Sequence, residues 1–503
     1  MEPFDQTNLD TFRLIILRRD GSEILLSPGD CGWSLPFVQA RPRERIAPQL
    51  IAKLKEHLQM EVYCLFVPSF TTSYEGAPLR KYAVLESIWH NGQAPAGTCW
   101  IPRTAAACQR VHPVEDHNAI AESLREMDSY VNEAKTGAFG RPGWLREMFT
   151  WSQEQLSPWG FRPIGNFRQF NFSPTFSLIR FETNGPAVWF KATGKPNLHE
   201  LPITTCLARL FPGNLPQILG IHPSWNAWLS EEISETTLDQ CADLTRWENA
   251  ADNLAELQIA SIGKTCTVLD AGCRDLRLQG LVHLIPRFVD RMSELMAAQV
   301  KLSPPPLTVS ELEFLGARLR EALLFLQDLG LPDTLGHTDF NPGNIVVSPT
   351  RCVFLDWAEA CVTNPFVTFE YLREHARRNL SEGATAMVRI ANAYHRPWTT
   401  LLSSSDIGQA LTVSPLIAVF IYAVASGPWT LPETLHDSAR SRHLRSLTRR
   451  MHYEATLLTK GENSMTVNSP IPSQPAAFSP HSEEGGHLYA LSHPKGIHKA
   501  DSF

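Results

Sequence analysis

The sequence predicts an α+β protein in which a small β-rich lobe precedes a mostly helical lobe, with a small α/β domain ahead of that bilobal pair. Three observations carry this prediction. Residues 176–192 read as a hairpin with a lysine on its return strand, helical periodicity dominates from there to about residue 460, and a separate β-rich segment opens the chain. At 503 residues the chain exceeds one hydrophobic core, so about two or three domains are expected.

The first domain is expected over residues 1–110. TFRLIILRRDGSEILLSPGDCGWSLP supplies two β-rich runs joined by Asp20-Gly21, the composition of a hairpin. From Arg45 to Met60 the apolar residues Ile46, Leu50, Ile51, Leu54 and Leu58 recur at helical spacing. Val62 to Val67 and Tyr82 to Trp89 predict further strands. Residues 115–135 predict a polar helix that Gly137, Gly140, Pro142 and Gly143 terminate, which makes residues 111–150 a helical connector.

The second domain is expected over 151–460. FSLIRF (Phe176 to Phe181) turns through Asn184-Gly185 and returns as AVWFKA (Ala187 to Ala192). Ser310 to Leu329 predicts a helix with a capping box of Ser310 and Glu313, an apolar stripe of Leu312, Leu315, Leu319, Leu323 and Leu326, and Gly330 as its stop. The run PLIAVFIYAVA (Pro415 to Ala425) is shorter than the roughly 20 residues that span a bilayer, so a buried helix and no membrane partner are expected. From Gly461 the chain is rich in Ser, Pro, Gly and His without periodicity, and residues 461–503 are expected to be a disordered tail.

Composition narrows the class. With 43% hydrophobic and 19% charged residues the chain reads as an ordinary globular protein, and its net charge of -7 argues against a nucleic-acid partner, whose phosphates select basic faces. Ten cysteines without a CxxC pair, and no charged-plus-apolar leader, predict a reduced, cytoplasmic setting.

The chemistry concentrates in HTDFNPGNIVV (His337 to Val347) followed by VFLDW (Val353 to Trp357). Phosphoryl transfer needs a carboxylate to orient the attacking hydroxyl and accept its proton, and oxygen ligands to hold Mg²⁺ on the nucleotide phosphates. Asp339 suits the first task; Asn344, five residues on, and Asp356, after the next apolar run, suit the second. The H-x-D-x-x-x-x-N spacing and the later aspartate match a kinase catalytic loop and its metal-binding aspartate. HTDFNPGN with FLDWAEA resembles the aminoglycoside phosphotransferase and choline kinase family, of protein-kinase-like fold. That resemblance implies Asp339 as catalytic base, Asn344 and Asp356 as metal ligands, and ATP and Mg²⁺ as cofactors. His337 is expected to brace the loop.

A kinase also sets a cation on the phosphates. Lys191 fits, with Glu200 nine residues later, where the family begins its helix with a glutamate. Leu215 to Ile233 resembles the strand pair leading to the interlobe hinge, which makes the backbone of Glu231, Glu232 and Ile233 a candidate adenine contact. One departure stands out: the connection Gln169 to Ser177 (QFNFSPTFS), where phosphates could be covered, holds no glycine. Ser173, Thr175 and their amides are the available substitutes.

In the first domain, Gly32-Trp33-Ser34-Leu35-Pro36 followed by a helix resembles the lead-in to a Nudix box. Glu44, Leu54 and Glu56 keep its pattern. Val38, Ala52, Lys53, His57 and Gln59 replace its glycines, arginine and carboxylates, and a cation at Lys53 repels Mg²⁺. The expectation is a Nudix-like scaffold without hydrolase activity, or an unrelated α/β domain. For the whole chain the leading expectation is an ATP- and Mg²⁺-dependent kinase of a small-molecule hydroxyl, on an aminoglycoside, an amino alcohol or a sugar-like metabolite. The rivals are a nucleotide-binding pseudokinase and an active Nudix hydrolase with an appended kinase-like domain.

Overall fold

The computed structural model describes residues 9–19, 21–29, 32–42, 44–68, 80–88, 93–103, 111–132, 137–301, 303–348, 351–381, 383–425 and 429–460. Asp20 of the first turn, Trp89 and the tail from Gly461 lie outside them. The described residues fall into two compact units. The first takes in those within Met1–Leu201 and Gln217–Glu232, the second those within Pro202–Pro216 and Ile233–Gly486.

The first unit holds two sheets. Strands β1 (Asp10–Leu17), β2 (Glu23–Gly29), β3 (Gly32–Ser34), β4 (Phe37–Ala40), β5 (Val62–Phe66), β6 (Lys81–Ser87) and β7 (Cys99–Pro102) form a seven-stranded sheet of order β3-β2-β1-β6-β5, with β4 on β1 and β7 on β2. β1 runs parallel to β6, and its near-continuous apolar run is what burial on both faces requires. Leu14 and Ile16 point to a core shared with α1 (Ile46–Leu58), through Ala47, Leu50 and Leu54. Ile15 and Leu17, on the alternate face, join a second core.

That second core is common to both sheets. It adds α2 (Val114–Asn132), α3 (Trp144–Leu156) and inward residues of the five-stranded sheet, Ile179, Phe181, Val188, Phe190 and Leu229 among them. The five strands are β8 (Pro163–Phe172), β9 (Ser177–Thr183), β10 (Val188–Ala192), β11 (Ile218–His222) and β12 (Ala227–Glu231), in the order β11-β12-β10-β9-β8. The limits drawn from sequence at residues 110 and 150 therefore fall inside one compact unit.

The second unit is mostly helical. α4 (Glu200–Leu210) begins in the first unit and continues here, followed by α5 (Leu244–Ser261), α6 (Thr265–Asp270), α7 (Leu278–Ala297) and α8 (Val309–Asp328). The apolar stripe of α8 is buried as its spacing predicts, but the helix starts two residues earlier than the sequence suggests. Thr308, not Ser310, is the N-cap, and its hydroxyl and the Glu311 carboxylate make the reciprocal capping box. Both pairs share the same i, i+3 spacing, and packing selects between them.

Two small sheets follow. β13 (Thr236–Thr237), β16 (Ile345–Val347) and β17 (Cys352–Phe354) form one; β14 (Arg274–Asp275), β15 (Thr334–His337) and β18 (Ala360–Thr363) form the other. Helices α9 (Pro365–Asn379), α10 (Gly383–Trp398), α11 (Ser404–Ala425) and α12 (Ser438–Lys460) complete the unit. α11 extends the PLIAVFIYAVA run toward its N-terminus, so by length and composition it could cross a membrane. Its Leu416, Ile417, Phe420 and Ile421 are instead fully buried in this unit's core.

Candidate functional site

The loop after β15 is shaped by strand pairing. β15 and β18 are antiparallel with His337 opposite Ala360, while β16 and β17 place Ile345 opposite Phe354. The second hairpin brings Asn344 beside the residues after β17, and the Leu355 N–H donates to the Asn344 carbonyl at 2.8 Å. Asn344 and Asp356 are thereby neighbours in space. Gly336 precedes His337 for a steric reason: a Cβ there would stand 2.7 Å from Thr363 Cγ2.

His337, 2% exposed, binds the two halves of the loop together. Its Nδ1 accepts the Asp339 N–H at 3.1 Å, which leaves Nε2 protonated to donate to the Asp356 carbonyl at 2.8 Å. The backbone donor thus fixes the tautomer. Asp356 itself takes the left-handed conformation, φ 62°, a strained geometry for a non-glycine residue and one that the bond from His337 supports. The rings of Phe340 and Trp357 both pack against the imidazole. Asn341 Oδ1 accepts the Gly343 N–H at 2.9 Å and caps the single turn Pro342–Asn344. The bracing role expected of His337 has this physical form.

Asp339 and Asp356 are half-buried, with Asn344 7% exposed and its Nδ2 without a partner. The side-chain oxygen of Asn344 and the carboxylate of Asp356 are hard oxygen donors. Two such ligands fit Mg²⁺, which keeps several waters and takes substrate phosphates, better than an all-protein cage. Among the described residues no group of three or more His, Cys, Asp or Glu gathers as a metal-binding set. This holds for α1 too, where Glu56 is exposed and Glu44, just before it, is paired with Arg41 at 2.8 Å.

In the first unit, Lys191 on β10 and Glu200 at the start of α4 form a hydrogen-bonded ion pair, with side-chain exposures of 16% and 2%. The ammonium also lies over the Trp228 ring, 5.7 Å from its centroid. Ala192 is opposite Ser177, so the turn joining β8 to β9 is at the lysine's end of the sheet. Ser173 Oγ accepts the N–H groups of Thr175 (3.3 Å) and Phe176 (2.9 Å), so the amides proposed as glycine substitutes are already engaged within the turn. Thr175 also crowds Gly194, where a Cβ would meet it at 2.3 Å.

Glu232 closes the first unit and Ile233 opens the second. The Glu232 carboxylate takes a bidentate bond from Arg180 (2.6 and 2.8 Å), and its N–H donates to Ala187 O at 2.9 Å. The Glu231 N–H is likewise held, by Gln217 O at 3.1 Å.

Sequence reasoning missed several groups near Asp339. Glu359, three residues past Asp356, pairs with Arg274 at 2.7 Å, and its main-chain carbonyl accepts the Thr338 N–H at 3.0 Å. Burial, with the charges of Asp339 and Glu359, pushes the Tyr422 phenol up to about 12. Burial and Arg378 hold the His375 imidazole down to about 4, against the opposing pull of Asp339 and Glu374. Glu359 had a local signal in its distance from Asp356. His375 and Tyr422 sit on helices without a motif, and tertiary packing alone brings them within electrostatic reach of the loop.

Residues 198–399 match the phosphotransferase enzyme family (APH). The match contains Glu200, Asp339, Asn344 and Asp356 and begins after Lys191. It gives the Nudix-like resemblance of the first domain no support. No curated protein matches the chain. Similar solved structures include macrolide 2'-phosphotransferase MphH from Brachybacterium faecium, at 13% identity over 60% of this chain and 98% of that one, TM-score 0.40. An ethanolamine kinase of Plasmodium vivax aligns at 12% identity over 59% and 84%, TM-score 0.41. Choline kinase LicA from Streptococcus pneumoniae aligns at 15% identity over 60% and 99%, TM-score 0.38.

Proposed function

We propose, from the match of residues 198–399 to the phosphotransferase enzyme family, that this chain transfers the γ-phosphoryl group of ATP to the hydroxyl of a small molecule with Mg²⁺ as cofactor. The observation that carries the reading is the pair of hydrogen bonds made by the His337 ring, which ties the backbone of Asp339 to that of Asp356. A loop built only to turn the chain has no need to tie the backbones of two half-buried aspartates through one imidazole.

The Asp339 carboxylate orients the acceptor O–H and takes its proton as the oxygen attacks the γ-phosphorus; the bond from that phosphorus to the β-γ bridging oxygen breaks, and ADP leaves. Asn344 and Asp356 would hold Mg²⁺, which when bound neutralises charge on the phosphates. Lys191, oriented by Glu200, is the cation this reading assigns to the nucleotide phosphates. An aminoglycoside, an amino alcohol or a sugar-like metabolite supplies the hydroxyl.

Asp339→Asn tests the reading. The variant is expected to bind MgATP as the intact protein does and to lose about 10²–10⁴-fold in kcat with the acceptor that stabilises the protein most in a thermal-shift screen. Unchanged turnover would refute Asp339 as the base. A wild-type chain that binds MgATP but turns over no hydroxylated acceptor would instead favour a nucleotide sensor.

A further inference from the structure

The turn at the Lys191 end of the five-stranded sheet is anchored in the other sheet. Gln169, 1% exposed on β8, accepts the Cys64 N–H through Oε1 at 2.8 Å and donates through Nε2 to the Cys64 carbonyl at 2.9 Å. Cys64 is fully buried on β5, the last strand in its sheet order, so one side-chain amide stands where the next strand's backbone would be. Phe172, three residues further, is 8% exposed and packs into the core between the seven-stranded sheet and α1. On the far flank the Phe139 N–H donates to the Pro174 carbonyl at 3.0 Å, and the Phe139 ring meets that of Phe190, the residue before Lys191.

A glycine-rich cover would bear the ordering cost of its loop each time nucleotide binds. Here the 173–176 turn has no glycine, is closed by Ser173 Oγ, and is fastened on both sides by the protein's own contacts. We propose that the N-terminal sheet domain is a positioning element for the 173–176 turn, with Gln169 its central residue, and that it holds the turn at Lys191 in a conformation ready for nucleotide phosphates. This rests on the phosphotransferase reading above.

The test uses the full chain with Gln169→Leu, close in size but unable to bond Cys64. Hydrogen exchange at the Ser173, Thr175 and Phe176 amides is expected to quicken by about tenfold or more, and MgATP affinity measured by calorimetry to weaken by about tenfold. The KM for the acceptor should stay within about twofold, a split that a general loss of folding would not produce. Arg45→Ala serves if the first variant does not fold. Its guanidinium lies 5.2 Å from the Phe170 ring centroid and donates to Asn171 Oδ1 at 3.3 Å, so a smaller change in the same direction is expected. Folded variants with wild-type exchange and wild-type MgATP affinity overturn the inference and leave the phosphotransferase reading standing. Failure of the intact chain to bind MgATP overturns both.

Discussion

Removing the Lys191 ammonium while keeping its volume, as Lys191→Met does, separates what the ion pair contributes to folding from what it contributes to chemistry. Glu200 is 1% exposed, and its carboxylate is the more deeply buried partner. Breaking a buried pair from one side costs about 3–5 kcal/mol, because a desolvated charge is left without its counterion. For a unit of this size that corresponds to roughly 6–20 °C in the midpoint of thermal unfolding. The variant has one escape, which is to protonate Glu200. That raises its folded-state pKa above the unfolded value, so the penalty should grow as pH rises through the weakly acidic range and shrink below it. The double variant Lys191→Met/Glu200→Leu removes both charges and should recover most of the lost stability while phosphoryl transfer stays lost. Calorimetric unfolding of the wild type, both single variants and the double variant gives the coupling. A Lys191→Met protein within about 1 kcal/mol of wild type, or a double variant no more stable than Lys191→Met, would refute this account of the pair.

His337→Phe keeps a ring against Phe340 and Trp357 but leaves the Asp339 N–H and the Asp356 carbonyl without their imidazole. A loss of about 2–4 kcal/mol is expected in chemical denaturation, with kcat falling more than MgATP affinity. Burial raises the Glu86 carboxyl from its ordinary 4.5 to about 7, although Tyr63 and the Gly143 N–H bond to it. The folded state therefore holds this proton more tightly than the unfolded chain, so the stability it confers is full below about pH 4.5 and declines as pH rises toward 7. Glu86→Gln should flatten that decline, by about 3 kcal/mol at most, in denaturation measured between pH 5 and pH 8. A variant whose pH dependence matches wild type would show that Glu86 does not titrate in this range.

What the sequence determined by itself was local. The spacing of His337, Asp339, Asn344 and Asp356 is legible because a turn and the short strands beside it are set by residues within a few positions of one another. The hairpin carrying Lys191 and the stripe of α8 are legible for the same reason, since side-chain period reports which face is buried. The capping box shows the limit: two candidate pairs fit the same spacing, and only the docked helix selects Thr308 with Glu311. Tertiary structure alone decided the rest. It joins Gln169 to Cys64 across 105 residues, sets His375 and Tyr422 near Asp339, and merges the faces of two sheets in one core. Such contacts are made by buried surfaces whose partners lie far along the chain. A buried glutamine or a helical tyrosine carries no mark in its neighbours' identities of what it will meet, because the free energy that places it belongs to the packed whole.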